Sequence, residues 1–240
     1  MNPLVNIHRL HEINLSQIKL SARHDPKHHQ VIYINYFDTN RNILTKMVMQ
    51  CDLIKLVRSN SPIIIDKDDC TKNGHMEDII QIPIDPAQLN CSNLENFIKD
   101  IDQWAQSLET REKLFGPNSD LYTYESPLKS YEGTYIKDFI QMQFNIVELD
   151  HDNKWKNITK FVKKINNMKM SIDRSKIKSL TNELSIGTEI RFIFCLNKIW
   201  VNKNDHGNNF TYGIGLKVLA IEYEAQNYDN INIENIDFKD

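Results

Sequence analysis

The stretch "GTEIRFIFCLNKIWVNKNDHGNNFTYGIGLKVLAIEY" spans residues 187–223 and carries Trp200, Phe210 and Tyr212 close to the turn "NKNDHGNN". Lys203 lies between them. Flat rings beside a cation suit one kind of chemistry: each ring offers a face on which a planar ligand stacks, and the ammonium answers a phosphate. A second cluster repeats the pattern, with Tyr36 and Phe37 next to Arg41 in "NYFDTNRN". Core packing is the competing use of the same rings. Phe192 and Phe194 share a strand face with Ile190 and Leu196, which argues for core, and Phe144 shares one with Ile140 and Ile146. Trp200 has the parity of Phe192, but Lys198 interrupts that face. A bulge near Asn197 would turn Trp200 outward.

Other chemistries lack their residues. The chain has no P-loop, no Gly-rich dinucleotide loop and no nucleophile elbow. The cysteines at 51, 70, 91 and 195 form no Cys-x-x-Cys pair, so no zinc site is expected. The histidines at 8/11 and 24/28/29 read as part of a polar, partly charged N-terminal segment rather than as metal ligands. "DKDD" at 66–69 reads as a solvated acidic loop. No enzyme activity, cofactor or metal is expected.

Two strands around a tight turn must position the second cluster. In "HHQVIYINYFDTNRNILTKMVMQC", Val31, Tyr33, Asn35 and Phe37 lie on one face and Ile32, Ile34 and Tyr36 on the other. Residues 59–91 read as irregular connection with the short strands "PIII" and "DIIQIPI". Ser92 and Glu95 form a capping-box pattern, and Leu94, Phe97, Ile98, Ile101, Trp104, Ala105 and Leu108 then recur at helical spacing until Gly116-Pro117. "TYIKDFIQMQFNIVEL" reads as a long strand. Ile158, Phe161, Val162 and Ile165 fit a short amphipathic helix with Lys156, Lys160, Lys163 and Lys164 on its other side. The quoted hairpin closes the fold. The expected class is α+β, mostly β: an OB-type Greek-key barrel core of about five long strands with helical insertions. Residues 1–225 form one domain on this reading, with insertions at about 59–133 and 154–186, and 226–240 are an acidic, flexible C-terminal tail.

The chain has 240 residues with 40% apolar content, enough for one large domain with a sizeable core. No apolar run approaches the length of a membrane span, and "MNPLVNIHRLHEINL" is not a signal peptide, so an intracellular protein with reduced thiols is expected. The formal net charge is −3, but residues 154–178 hold nine basic side chains and one acidic one. Such a block in an acidic protein points to a polyanion-binding face, or to a solvated Lys-rich helix. Ile and Asn are abundant and Lys outnumbers Arg 22 to 7, a skew that resembles translation from an AT-rich genome.

Three segments carry a family resemblance. They are "SQIKLSARHDPKHHQVIYINYFDTNRNILTKMVMQ", "YESPL", and "GTEIRFIFCLNKIW" with "GIGLKVLAIEYE". In strand pattern and order they resemble the single-stranded-DNA-binding proteins of nucleocytoplasmic large DNA viruses, the poxvirus and African swine fever virus type. The resemblance implies an OB-type core, sequence-tolerant ssDNA binding, and a role in viral DNA replication, recombination or repair in the host cytoplasm or nucleus. It supplies no invariant contact motif, so the candidate residues come from the ring and charge argument alone. They are Arg23, Tyr33, Tyr36, Phe37, Arg41, Lys46, Tyr135, Lys137, Lys156, Lys160, Lys163, Lys164, Arg191, Lys198, Trp200, Lys203, Phe210, Tyr212 and Lys217. Asp237, Phe238 and Asp240 in the tail combine negative charge with a ring, which suits competition with DNA or docking of replication proteins. Self-association on DNA is a further expectation. The alternative is a non-enzymatic viral interaction or structural protein that binds an acidic partner through the basic segment.

Overall fold

A computed structural model describes residues 6–25, 29–56, 63–65, 79–130, 138–149, 154–165, 168–172, 183–184, 186–203 and 209–224. In chain order the strands before the helices are β1 (Ile7–Arg9), β2 (Ile18–Asp25), β3 (His29–Asp38), β4 (Ile43–Lys46), β5 (Val48–Lys55), β6 (Ile63–Ile65) and β7 (Ile79–Pro83). Two helices follow, α1 (Leu89–Gln106) and α2 (Leu108–Phe115). Then come β8 (Tyr122–Glu125), β9 (Leu128–Ser130), β10 (Asp138–Phe144), β11 (Ile146–Leu149), β12 (Lys154–Asn157), β13 (Lys160–Ile165), β14 (Met168–Ser171), β15 (Glu189–Lys203) and β16 (Phe210–Glu224). The class is α+β and mostly β, as expected.

The alternating sequence of residues 189–224 folds as the antiparallel hairpin β15–β16, whose two strands have 15 residues each. Most of the other described strands are built on its two edges. On one side β15 pairs antiparallel with β5 through Glu189–Cys195, then exchanges that partner for β3 at Lys198 and Ile199. A strand that changes partners at a bulge turns the corner of a sheet, which is how an OB-type core curves toward closure. On the other side β16 pairs in parallel with β8, β10 and β13 in succession. β2, β3 and β4 form an antiparallel meander. Fourteen of the described strands form this mixed sheet, and β11 pairs with β12 apart from it.

The core lies under the hairpin. Phe192, Phe194, Leu196, Ile214, Leu216 and Val218 are buried against Leu94, Phe97, Ile98 and Ile101 of α1. One continuous cluster therefore joins the sheet to the helix. The segment "YESPL" ties them together: the hydroxyls of Tyr124 and Ser126 donate to the Asp102 carboxylate of α1 at 2.7 and 2.5 Å. Burial pushes the Asp102 carboxyl above the usual carboxylate range, against those hydrogen bonds and the Lys129 charge.

Several expectations change. The helix begins three residues before Ser92, whose hydroxyl donates to the Pro86 carbonyl, so Ser92–Glu95 is not its cap. It also breaks at Ser107, whose side chain caps α2 by accepting from the Thr110 N–H. That break leaves Leu108 62% exposed, out of the core. The expected amphipathic helix in the basic block is instead the strands β12, β13 and β14. Phe161 is buried as expected, but through strand pairing with β16. The long strand over residues 134–149 is interrupted at Asn145, whose N–H is taken by the buried Thr159 hydroxyl. No described helix is long and apolar enough to cross a membrane.

Candidate nucleic-acid interface

Strand register decides which candidate rings face outward. β15 pairs Leu196 with Leu216 and then Lys198 with Gly215, so Asn197 is the extra residue of a bulge. Before the bulge the even-numbered side chains of β15 are buried; beyond it Ile199 is buried, and Lys198 and Trp200 are half-exposed. This bulge turns Trp200 out of the core.

The partners of these residues complete an outer face. Directly opposed residues on paired strands project to the same side. Lys198 pairs with both Tyr33 and Gly215, and Tyr33 with Ser21, so Ser21, Tyr33, Lys198 and Gly215 form one row across four strands. The row to one side pairs Lys19, Asn35 and Lys46. The row beyond it pairs Phe37 with the exposed Leu44. Trp200 pairs with Gly213, and Lys217 continues the same face of β16.

Trp200 lies along a floor made by two glycines. A Cβ built on Gly213 would fall 2.4 Å from the indole Cζ2 and 2.7 Å from Cε2, and one on Gly215 would fall 3.9 Å from Cδ1. The indole thus lies against the β16 backbone and is half-exposed. Glycine is required at 213 because no side chain fits between the indole and the strand.

Cations surround these rings. Lys46 is exposed, and Lys198 and Lys217 are half-exposed. Burial pushes the Cys195 thiol up, while the charges of Lys46 and Lys217 both pull it back, which places the two ammonium groups around the same stretch of β15. Arg41 sits in the β3–β4 turn. Asp38 shapes that turn by accepting from the N–H groups of Asn40 and Arg41 at 3.0 and 3.2 Å, and Asn42 takes the left-handed conformation with φ 53°. The Arg41 guanidinium, 46% exposed, lies 3.8 Å from the Asp38 carboxylate. Lys203 is exposed at the loop end of β15.

Three rings leave the outer set. Tyr36 is 3% exposed, because its strand parity is opposite to that of Phe37; its hydroxyl accepts from the Asn14 N–H, and His8 meets its ring edge-on. Tyr212 is fully buried, and its hydroxyl donates to the Ala105 carbonyl at 2.9 Å. Phe210 has the parity of Tyr212. One of its faces is stacked on Tyr122 at 4.8 Å, and Tyr122 in turn stacks on Phe115 at 3.8 Å. These rings cap the end of the core.

The basic block meets β16 beyond this face, with Lys160 opposite Ala220, three residues along the strand from Lys217. β13 pairs with Ala220–Tyr223, ten residues along β16 from Gly213 at the Lys163–Tyr223 pair. Ten residues of strand correspond to about 33 Å. Three of its lysines are paired within the chain: Lys163 with Glu183 at 2.9 Å, Lys164 with Glu224 at 3.0 Å and Lys169 with Glu222 at 2.5 Å. Arg191 also faces Glu222, at 3.9 Å. Burial works to raise the Glu183 carboxyl, but hydrogen bonds from Tyr223 and Lys163 outweigh it and hold the group below its ordinary range. Lys160 is exposed.

Tyr135, Lys137, Cys70, residues 66–69 and the tail with Asp237, Phe238 and Asp240 lie outside the described residues, as do the side chains of Arg23 and Lys156. Sequence reasoning missed Lys19, Ser21 and Asn197 as members of the face. The parity of Tyr33 gave Asn35, and the register of β2 was the missing information.

No protein-family model matches the chain. It is 26% identical over 238 residues to uncharacterized protein R505 of Acanthamoeba polyphaga mimivirus, a match that covers 86% of this chain and 58% of that protein. The chain thus spans less than two thirds of that relative's length, and the match supplies a viral relative without assigning a family. Among solved structures, the chain is similar to gp2.5, a single-stranded DNA binding protein encoded by bacteriophage T7, with 12% identity, 82% of this chain and 98% of that chain covered, and a TM-score of 0.43. It is also similar to the single-stranded DNA-binding protein of bacteriophage Enc34 in complex with ssDNA, with 10% identity, 87% and 97% covered, and a TM-score of 0.37.

Proposed function

We propose that this protein binds single-stranded DNA, with tolerance of sequence, across the outer face of β3, β15 and β16, and that it serves viral DNA replication, recombination or repair. The observation that supports this reading is the row in which Tyr33 and Lys198 oppose each other, with Trp200 laid over Gly213 one position on. Bases stack on Trp200, Tyr33 and Phe37, and Lys46, Lys198 and Lys217 answer the phosphates. Arg41 and Lys203 extend the path at the two turns. Rings supply about 1–3 kcal/mol per stacked base and carry little sequence information. Each phosphate contact adds salt dependence, with a log–log slope of about −0.7 on single strands.

The test is a competition assay with labelled mixed-sequence ssDNA across a salt series, challenged by dsDNA, ssRNA and heparin. Affinity should fall steeply with salt, dsDNA should compete poorly, and Lys46→Ala combined with Lys198→Ala should flatten the slope by about 1.4. Binding that is absent at low salt, or equal for heparin and ssDNA, would refute the proposal.

A further inference from the structure

The Asn197 bulge opens a cleft in the same face. β15 pairs with β5 as far as Cys195 and with β3 only at Lys198 and Ile199. Between these two ladders β3 and β15 are not paired, and a depression of about 510 Å³ lies there, lined by Ser21, Tyr33, Asn35, Lys46, Leu196 and Asn197 among others. That volume suits a small planar ligand with its attached group. Leu196 and Ile34 are buried beneath it, Ala22 adds to the apolar lining, and Ser21, Asn35, Asn197 and Lys46 supply the polar part.

The polar wall has unused hydrogen-bonding capacity. Asn35 donates one N–H to the Ser21 hydroxyl at 2.7 Å. That bond orients the amide and leaves its carbonyl oxygen and second N–H without a partner among the described residues. The Asn197 side chain has no hydrogen-bond partner among them either. Two amides and a hydroxyl together present donors and acceptors at fixed positions, which is the complement of a nucleobase edge. Lys46 is the one cation among the lining residues, enough for a single phosphate, and an apolar ligand would leave the amides unpaired. Lys46, paired across the strands with Asn35, stands at the rim where a sugar–phosphate would leave.

We infer that this cleft is a base-reading subsite for one nucleotide of a bound single strand, with Asn35 and Asn197 on the base edge, Tyr33 on its ring and Lys46 on the adjoining phosphate. The inference rests on the proposed ssDNA binding and adds to it: the surface tolerates sequence along most of its length and discriminates at one position. The dry floor at Leu196 makes a mismatched edge costly, because amides left unpaired beside it lose their water.

The test uses the full chain and equal-length dT, dC and dA homopolymers, together with an oligomer of abasic sites, at one salt concentration and then across a salt series. Homopolymers present the same base whatever the register of binding. Asn197→Ala and Asn35→Ala should each weaken the best-bound homopolymer at least about five-fold. They should narrow the spread between homopolymers, and leave both the abasic affinity and the salt slope unchanged. Lys46→Ala should weaken all four ligands alike and reduce the slope by about 0.7. Variants that bind every homopolymer as the native chain does overturn the inference, as does equal weakening on homopolymers and abasic oligomer. If Asn35→Ala fails to fold, Asn197→Ala decides alone, since its side chain makes no bond among the described residues. Failure of the native chain to bind any homopolymer refutes the ssDNA reading itself, whereas binding without base-dependent loss refutes only the subsite.

Discussion

Gly213→Ala perturbs the ring without deleting it. The new methyl would stand 2.4 Å from the Trp200 Cζ2 and 2.6 Å from the Glu125 carbonyl oxygen. Carbon atoms rest at about 3.5–4.0 Å, so the indole must withdraw by about 1 Å or more. The indole can swing, but the Glu125 oxygen belongs to the β8 backbone, paired with β16, and cannot. Overpacking of this kind costs about 1–3 kcal/mol. In a chain of this size that lowers the melting temperature by about 2–4 °C for each kcal/mol.

The same displacement lifts the indole from the plane in which a base would meet it. Loss of one stacking contact of about 1–3 kcal/mol weakens ssDNA binding about 5- to 150-fold. Trp200→Ala should match that loss in affinity. In the double variant the indole is gone, so the methyl meets only the Glu125 oxygen. Its effect on affinity should then vanish, and its effect on stability should shrink by at least about 0.5 kcal/mol. Fluorescence anisotropy on labelled ssDNA and thermal melts of the four proteins complete the cycle. A folded Trp200→Ala variant with native affinity would refute the stacking argument. Equal losses from Gly213→Ala with and without Trp200 would show that the glycine acts through β8.

Two further perturbations probe the core beneath this face. Tyr212→Phe removes the donor to the Ala105 carbonyl and should cost about 1–3 kcal/mol in a thermal melt while leaving ssDNA affinity unchanged; a selective loss of affinity would return Tyr212 to the binding surface. Asp102 gives a pH signature. Its carboxyl is raised in the folded state, so the native protein holds that proton more tightly than the unfolded chain, and ionisation costs stability at neutral pH. The cost is relieved as pH falls through the raised value, so the native protein should gain on Asp102→Asn as pH drops from about 7 toward 4. Parallel melting curves for the two across that range would refute it.

The strand faces were legible because burial on one side imposes a period of two. In β3 that period separated Tyr33 and Phe37 from Ile34 and Tyr36 but did not say which face is buried, so Tyr36 stood among the candidate rings although it lies in the core. In β15 it failed at one place, since Trp200 keeps the even numbering of buried Phe192 and Phe194. The one sign of the bulge was Lys198, an ammonium at a position that would otherwise face the core. The helix was legible from its apolar spacing, but its start was not. Ser92 and Glu95 mimic a cap, and the contact of Ser92 with the Pro86 carbonyl comes from chain geometry that local sequence does not encode.

Charge was the least legible feature, for a physical reason. A run of lysines counts the same in sequence whether it faces solvent or a row of carboxylates. Here the partners come from far along the chain: Glu183, Glu222 and Glu224 reach Lys163, Lys169 and Lys164 because β13 joins β16 in parallel. Pairing weakens the field that a polyanion would sense from these three lysines beyond about a Debye length, roughly 8 Å at physiological salt. The outer face has fewer cations, but no described ion pair answers Lys46 or Lys198. A strand entering that face would displace its counterions from lysines that need no internal bond broken first. At Lys163 and Lys164 the same strand would have to displace a carboxylate already in contact. Density of charge along the sequence therefore does not measure what a phosphate would encounter, which depends on which lysines strand pairing has already matched with carboxylates.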